Sequence, residues 1–246
     1  MADANCQATT GIEALDALLM PGVFRPGMIV EWVVAGAGSG AAQLAAPMVI
    51  QALQTGGALV VIDDRREFYP PAAVRLGLDL ERTIIVRPRN RQETVWTLEQ
   101  ALRCSGVATT LAWIGPLPDR LFRRVQLAAE RGARLGIFMR PVEALHTPSW
   151  ADLRWFVQPM PMGTQDGRRD DGRRDEEANP MQAGLAAAVS KNERHTSGRR
   201  VRVELLHCRE GIPGGTIELE IDDETGAVRV VPPLAIAASV PRAAGA

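Results

Sequence analysis

Short apolar runs alternate with amphipathic segments through most of the chain. The predicted strands are residues 28–34, 58–62, 83–86, 109–114, 135–139 and 150–157. Strands that are apolar on both faces are typical of parallel sheets covered by helices on both sides. The predicted helices, which have helical apolar spacing, are residues 12–19, 41–55, 70–76, 92–103 and 118–131. The pattern predicts an α/β fold with a mainly parallel sheet flanked by helices, and Thr10 and Glu13 have the spacing of a capping box at the first helix.

A different pattern follows towards the end of the sequence. Val201, Val203 and Leu205 alternate with polar residues, and residues 216–221 and 227–231 alternate in the same way. A period of two indicates strands with one buried face. Because the turn-forming residues 222–226 join the last two segments, we expect antiparallel strands that close the same sheet.

The sequence between these two parts is charged and repetitive. Asp-Gly-Arg-Arg-Asp occurs at 166–170 and again at 171–175, and such a segment cannot bury enough apolar surface to order itself. The predicted organisation is a core at 1–159, a flexible charged insertion at 160–198, strands of the same domain at 199–231, and a tail at 232–246.

Composition excludes several classes of protein. Hydrophobic residues make up 46% of the chain and charged residues 23%, which is typical of a globular domain. No apolar stretch is long enough to span a membrane, and residues 1–5 lack the features of a signal peptide. The isolated cysteines Cys6, Cys104 and Cys208 indicate reduced thiols in a cytoplasmic protein, with no disulfide framework and no metal site.

The middle of the chain is strongly basic. Residues 82–140 contain eleven arginines and four acidic residues, although the net charge of the chain is −1. Such a segment suits single-stranded DNA or an acidic partner, and solvated helix faces with local ion pairs are the equally favoured alternative. The candidate surface residues are Arg87, Arg89, Arg91, Arg120, Arg123, Arg124 and Arg131.

A glycine-rich loop follows the first predicted strand. In a P-loop, G-x-x-x-x-G-K-[ST], backbone amides hold phosphate, the lysine adds charge, and the hydroxyl binds magnesium. In this chain alanines occupy the lysine and hydroxyl positions, and the only lysine is Lys191. We therefore expect a vestigial P-loop, with no nucleotide or other cofactor, formed by Gly36, Gly38, Ser39, Gly40, Ala41 and Ala42.

A dinucleotide-binding fingerprint is a weaker interpretation of the same glycines. Gly36 and Gly38 fit G-x-G-x-x-G, but Ala41 occupies the third glycine position. Asp63 or Asp64 would supply the acidic residue about twenty positions further on. These two aspartates could also bind a metal, but a hydrated strand end or pairing with arginine is favoured.

The five tryptophans divide by their surroundings in the sequence. Trp32 and Trp113 lie within apolar strands and are expected in the core, and Trp96 lies beside the inward face of its helix. Trp150 and Trp155 are either packed in the fold or part of an exposed patch for a partner, and packing is favoured.

Several short segments match known proteins in the same order along the chain. Thr10-Gly11, Leu15-Asp16 and Gly27-Met28-Ile29-Val30-Glu31 are similar to the start of the RecA recombinase core. Residues 87–89, 96–103, 111–114, 121–130 and 136–141 resemble the ImuA family, a SulA-related, RecA-like family of bacterial mutagenesis cassettes. The resemblance covers about residues 9–157 and, more loosely, 200–231.

By this resemblance, the positions that handle ATP in the recombinase are substituted. The resemblance therefore implies no ATP hydrolysis by the RecA mechanism and no catalytic residues. An unorthodox ATPase that uses Arg65 or Arg140 is the alternative. The substituted positions are Arg65 for the catalytic acid, Ile114 or Gly115 for the magnesium-side aspartate, Arg140-Pro141 for the Asn-Gln sensor, and His207 and Arg209 for two lysines.

The resemblance further implies a function in the SOS response to DNA damage. It indicates a non-catalytic accessory protein of translesion synthesis and mutagenesis. The implied partners are an ImuB-like Y-family polymerase homologue, an error-prone C-family polymerase and RecA, with single-stranded DNA as a further candidate. The alternatives are a SulA-like cell-division inhibitor and a nucleotide-dependent DNA recombination mediator.

Overall fold

Nine strands form one sheet in the computed structural model, which describes residues 9–36, 38–161 and 198–231. The strands are β1 (Ile29–Val34), β2 (Ala58–Asp63), β3 (Thr83–Val86), β4 (Val107–Trp113), β5 (Leu135–Pro141), β6 (Leu153–Met160), β7 (Gly198–Cys208), β8 (Thr216–Asp222) and β9 (Val228–Val230). The helices are α1 (Glu13–Asp16), α2 (Ala41–Gln54), α3 (Pro70–Arg75), α4 (Arg91–Arg103) and α5 (Asp119–Gly132), with 3-10 turns at Leu80–Arg82 and Val142–His146. No helix in these described ranges is long and apolar enough to cross a membrane.

The order of the strands is β3-β2-β4-β5-β1-β6-β7-β8-β9. The first six strands in this order are parallel to one another. The last three are antiparallel, each to the strand before it. The predicted α/β fold, a mainly parallel sheet closed by antiparallel strands, is confirmed.

Helices cover the parallel part of the sheet on both faces. Alternate residues of a strand point to opposite faces, so Val30 joins the core beneath α2 and Ile29 joins the core beneath α4 and α5. Leu44 and Met48 of α2 are fully buried against the first face, and Phe122 of α5 is fully buried against the second. Burial on both faces explains why these strands are apolar throughout.

Parallel strands bring their following loops to one edge of the sheet. The glycine loop after β1, Asp63 at the end of β2, Arg87 after β3 and Ile114 after β4 all lie at this carboxyl edge. Ligands of open α/β sheets bind at this edge, outside the carboxyl ends of the strands. The topology therefore places the loop that was identified from the sequence where a ligand would be expected.

The antiparallel strands complete the core beneath α2. Val201, Val203 and Leu205 are buried, as their alternation predicts. The rings of Trp32 and Trp155 stack in this core with centroids 5.8 Å apart, and both side chains are fully buried. Trp155 therefore belongs to the core and not to an exposed patch.

The start of the chain differs from its prediction. The helix expected at 12–19 is a single turn, Glu13–Asp16, whose N-cap is Ile12, with no side-chain cap. The Thr10 hydroxyl accepts a hydrogen bond from the Ile12 amide, and Asp16 accepts one from the Thr10 amide. The capping box of Thr10 and Glu13 was wrong because the backbone turns at Gly11, which has φ +77°.

The predicted insertion and tail fall mostly outside the described residues, as do Cys6 and Lys191. Met160 and Gly198, the two ends of the predicted insertion, are the last residue of β6 and the first residue of β7. These two residues therefore belong to strands and not to the insertion. The residues 162–197 and 232–246 are not covered, so these two predictions stay predictions.

Gly132 gives a test of the packing between α4 and α5. A Cβ at this position would overlap the carbonyl oxygen of Leu102 and lie 2.9 Å from the Cα of Arg103. We expect Gly132→Ala to lower the free energy of unfolding by about 1–3 kcal/mol, the usual cost of overpacking. The control is Gly115→Ala, where a Cβ meets no atom within 4 Å. Urea denaturation followed by circular dichroism would measure both, and equal midpoints would contradict the packing described.

Candidate functional site

The glycine loop and the start of α2 form one side of an open pocket of about 740 Å³ at the carboxyl edge. Gly38 and Gly40 have φ values of +75° and +76°, a region that favours glycine. Gly40 is the N-cap of α2, so the helix begins at Ala41. The glycines thus keep the turn from strand to helix that a phosphate-binding loop requires.

The lysine and the hydroxyl of the P-loop pattern are absent from this turn. Ala41 and Ala42 occupy the first two positions of α2, where the P-loop pattern has lysine and a hydroxyl. The Ser39 hydroxyl is the nearest substitute, but it is buried and lies 3.5 Å from the Ala41 amide nitrogen, which donates to it. The start of the helix therefore supplies backbone amides without a charged side chain.

Three arginines line the pocket, and a carboxylate of the same chain contacts each of them. Such pairs neutralise much of the positive charge that a phosphate would require. The pairs are Arg65 with Glu67, Arg140 with Glu31, and Arg199 with Asp223.

Arg199 reaches the glycine loop from β7. Its Nη1 donates a hydrogen bond of 3.0 Å to the carbonyl oxygen of Gly38, and its Nη2 lies 2.8 Å from Asp223 Oδ1. Ile221 of β8 packs against the glycine loop, since a Cβ on Gly40 would lie 2.5 Å from Ile221 Cδ1. The antiparallel strands therefore cover part of the loop. This role was not expected from the sequence, because no local pattern links Arg199 to a loop 161 residues earlier.

Arg140 lies on the opposite face of the sheet from α2. It forms a buried ion pair with Glu31 of β1, and its guanidinium lies 5.2 Å from the centre of the Phe122 ring of α5. Arg154 Nε lies 3.1 Å from the second oxygen of Glu31, to which Ser149 donates a hydrogen bond of 2.6 Å. Burial lowers the pKa of Arg140 from its ordinary value, and Glu31 opposes this effect. The positive charge of Arg140 is thus paired with a carboxylate inside the fold.

Two aspartates end β2 at the same edge. Asp63 is fully buried, accepts a 2.8 Å hydrogen bond from the Glu67 amide, and lies 3.7 Å from Arg87 Nε. Partial burial raises the pKa of Asp64, and the charge of Arg65 opposes that rise. Within the described part of the chain, no group of three or more His, Cys, Asp or Glu side chains could hold a metal ion.

The predicted basic residues are distributed between two ends of the fold. Arg87, Arg89 and Arg91 follow β3, and Arg120 lies in the first turn of α5, so these four share the carboxyl edge. Arg131 lies eleven residues after Arg120 in the same helix, about 16 Å further along its axis. The structure therefore brings the first four together and places Arg131 towards the opposite edge.

Three of these arginines are engaged within the fold. Among the residues described, Arg89, Arg91, Arg120, Arg123 and Arg131 form no ion pair, so these side chains carry the unneutralised charge of the surface. The internal contacts are Arg87 Nε to Asp63 Oδ2 at 3.7 Å, Arg124 Nη2 to Glu99 Oε1 at 2.9 Å, and the Arg123 guanidinium over the Trp150 ring at 4.6 Å.

Two tryptophans are exposed beside this surface. Trp96 of α4 lies beside the buried Val95 and is 62% exposed, and Trp150 is 40% exposed. The Trp150 indole donates a 2.8 Å hydrogen bond to Asp119. Trp113, by contrast, is buried against Phe68 as expected.

Arg209 lies at the other end of the molecule. It forms ion pairs with Asp152 and Glu130, at 3.0 and 3.5 Å. Asp152 immediately precedes β6, so this cluster is at the amino edge of the parallel strands. Arg209 therefore holds its own chain together at the edge opposite the glycine loop.

Comparison with known proteins supports the resemblance found in the sequence. Over 171 residues, 66% of the chain, it is 32% identical to the protein ImuA of Caulobacter vibrioides strain NA1000 / CB15N, and the match spans 60% of that protein. The chain is an ImuA homologue. The aligned part is thus less than two thirds of the length of this ImuA protein. No family model matches the chain.

A second sequence relative and a solved structure are also similar to this ImuA homologue. The cell division inhibitor SulA of Photorhabdus laumondii is 31% identical over 81 residues, which are 33% of the chain and 46% of that protein. The crystal structure of the RadB recombinase superposes with a TM-score of 0.59 at 17% identity, and covers 91% of this chain and 99% of that one. The superposition establishes that the core of the ImuA homologue is RecA-like.

The Arg124–Glu99 pair yields a prediction about the basic surface. Replacing Arg124 with alanine leaves the buried Glu99 carboxylate without its cation. We expect the free energy of unfolding to fall by about 1–3 kcal/mol. Arg120→Ala is the matched control, because Arg120 is exposed, and we expect a change within about 0.5 kcal/mol. Equal urea midpoints for the two variants would show that Arg124 does not stabilise α4 against α5.

Proposed function

We propose that this ImuA homologue is a non-catalytic accessory protein of DNA-damage-induced translesion synthesis and mutagenesis. The observation that carries the proposal is its identity with ImuA of Caulobacter vibrioides, 32% over 171 residues. The RecA-like core is consistent with a protein that acts in the SOS response to DNA damage. In this proposal the core serves as a scaffold for protein contacts.

The pocket supports a function without nucleotide chemistry. Phosphoryl transfer depends on charge that stabilises the phosphates and on a metal held beside them. At the start of α2 the chain offers Ala41 and Ala42, and Arg199 is already bonded to the loop carbonyl of Gly38 and to Asp223. A protein with this arrangement would bind its partners in the same way whether or not ATP is present.

The partners proposed are proteins of a mutagenesis cassette. They are an ImuB-like Y-family polymerase homologue and an error-prone C-family polymerase, with RecA as a third. The exposed surface at the carboxyl edge, with Arg89, Arg91, Arg120 and Trp96, supports contacts with proteins because exposed tryptophan and arginine are enriched at binding hot spots. Single-stranded DNA remains a further ligand to be tested at the same surface.

Co-purification and complementation test this function. The tagged full chain, recovered from DNA-damaged cells of its source, is expected to carry the Y-family homologue and the C-family polymerase with it. Deleting its gene should lower the frequency of damage-induced mutation. A Ser39→Ala allele should restore that frequency fully, because the loop hydroxyl has no nucleotide to serve. Purification without either polymerase, or loss of function in Ser39→Ala, would contradict the proposal.

A SulA-like cell-division inhibitor is the second candidate function. The match to SulA of Photorhabdus laumondii, 31% over 81 residues, favours it. Overexpression of an inhibitor would make cells grow as filaments without DNA damage. Normal division at a high level of the protein would exclude this function and leave the accessory role. A nucleotide-dependent recombination mediator has weaker support, since it would need ATP in the pocket described above.

A further inference from the structure

A groove runs between the first halves of α4 and α5. Its volume is about 680 Å³, and its walls include Arg91, Val95 and Trp96 of α4 and Leu121 and Arg124 of α5. We call these five residues the α4–α5 groove. It is separate from the pocket beside the glycine loop, because α4 and α5 cover the face of the sheet opposite to α2.

The groove has an apolar centre. Trp96 leaves 62% of its surface exposed beside Leu121, which is half-buried, while Val95 below it is buried. Water in contact with such a surface is displaced favourably when an apolar side chain covers it. Tryptophan is also among the residues enriched at the energetic centre of protein interfaces. The geometry provides a seat for one apolar side chain.

Positive charge borders this seat. Arg91 is exposed and forms no ion pair with the described residues, and Arg124 is half-exposed with one side of its guanidinium held by Glu99. Arg120 lies one helical turn before Arg124. These residues belong to the basic segment 82–140, with eleven arginines and four acidic residues. Glu93 also lines the groove, where its carboxylate accepts hydrogen bonds from the Arg89 amide and the Asn90 side chain. Because the arginines outnumber this single carboxylate, charge complementarity favours an acidic occupant.

A nucleic acid strand fits this groove less well than an acidic peptide does. Single-stranded DNA is held by a row of cations that follows its backbone and by several aromatic rings that stack on successive bases. Here the row is interrupted, since Arg87 lies 3.7 Å from Asp63 and the acidic Glu93 lines the groove beside Arg91. The groove has a single exposed ring, Trp96. One ring flanked by arginines matches a short peptide with one apolar anchor and carboxylates beside it.

We propose that the α4–α5 groove binds an acidic segment of a partner protein. An apolar side chain of that segment covers Trp96 beside Leu121, and its carboxylates pair with Arg91 and Arg124. The proposal rests on the accessory function proposed above and deepens it, since it names the surface and the chemistry of the partner. It requires no movement of the sheet, because the groove is open in the structure.

Peptide selection tests the proposal and does not require that the partner protein be identified first. Random peptides of twelve residues, displayed on phage, are selected against the immobilised full chain. The selected peptides, made with a fluorescent label, are then titrated against the wild type, Trp96→Ala and Arg91→Glu, with fluorescence anisotropy as the readout. Arg103→Glu is the matched control, since Arg103 is also exposed but lies at the other end of α4. A labelled single strand of twenty thymidines is titrated in parallel.

The expected peptides have Asp or Glu on both sides of one Leu, Phe or Trp. Trp96→Ala and Arg91→Glu should each weaken their binding at least about tenfold, the usual effect of losing a hot-spot side chain. Arg103→Glu should bind like the wild type. Peptides without acidic enrichment, or equal binding to Trp96→Ala, would overturn the proposal. Thymidine binding that is lost in both groove variants, with no peptide selected, would overturn it in favour of a nucleic acid.

Failure of this proposal can be distinguished from failure of the accessory function. If Trp96→Ala still co-purifies with the two polymerases from damaged cells, the accessory function stands and the groove is not the docking site. If acidic peptides bind the groove but the wild type carries neither polymerase, the groove proposal stands and the accessory function fails.

Discussion

Glu31 lies with no exposed surface in the middle of the sheet, where its carboxylate holds Arg140 of β5 and Arg154 of β6. A buried carboxylate costs several kcal/mol unless cations and hydrogen bonds surround it. This cluster therefore ties the three neighbouring strands β5, β1 and β6 together beneath Phe122. The cluster also reduces the positive charge at the carboxyl edge, because Glu31 pairs with Arg140 at the end of β5 inside the fold.

On the other face of the sheet, the antiparallel strands limit access to the glycine loop. Arg199 and Ile221 extend over the glycine loop and contact Gly38 and Gly40, so the turn is packed by its own chain. The same RecA-like fold thus keeps its sheet, its loop and its helix, while alanines occupy the lysine and hydroxyl positions of the P-loop pattern and carboxylates pair with the arginines beside the loop.

Much of the fold could be predicted because the sequence patterns that specify strands, helices and turns are local. The strand at Thr83–Val86 has the bounds expected from its apolar run, and the glycine loop lies between strand and helix as expected. The role of Arg199 could not be predicted, because the contact joins segments far apart in the sequence. The exposure of Trp96 escaped prediction because Val95 occupies the buried position and the next residue of a helix lies about 100° away around its axis.

Calorimetric titration of the purified full chain with ATP and magnesium tests the central claim most directly. Each lost hydrogen bond to a charged group costs roughly 1.5–3 kcal/mol, and the P-loop lysine and hydroxyl positions are Ala41 and Ala42. The account predicts no saturable heat for the wild type, and none for Arg199→Ala, because uncovering the loop does not restore the missing lysine. Saturable binding of ATP by the wild type with a micromolar dissociation constant would contradict the account.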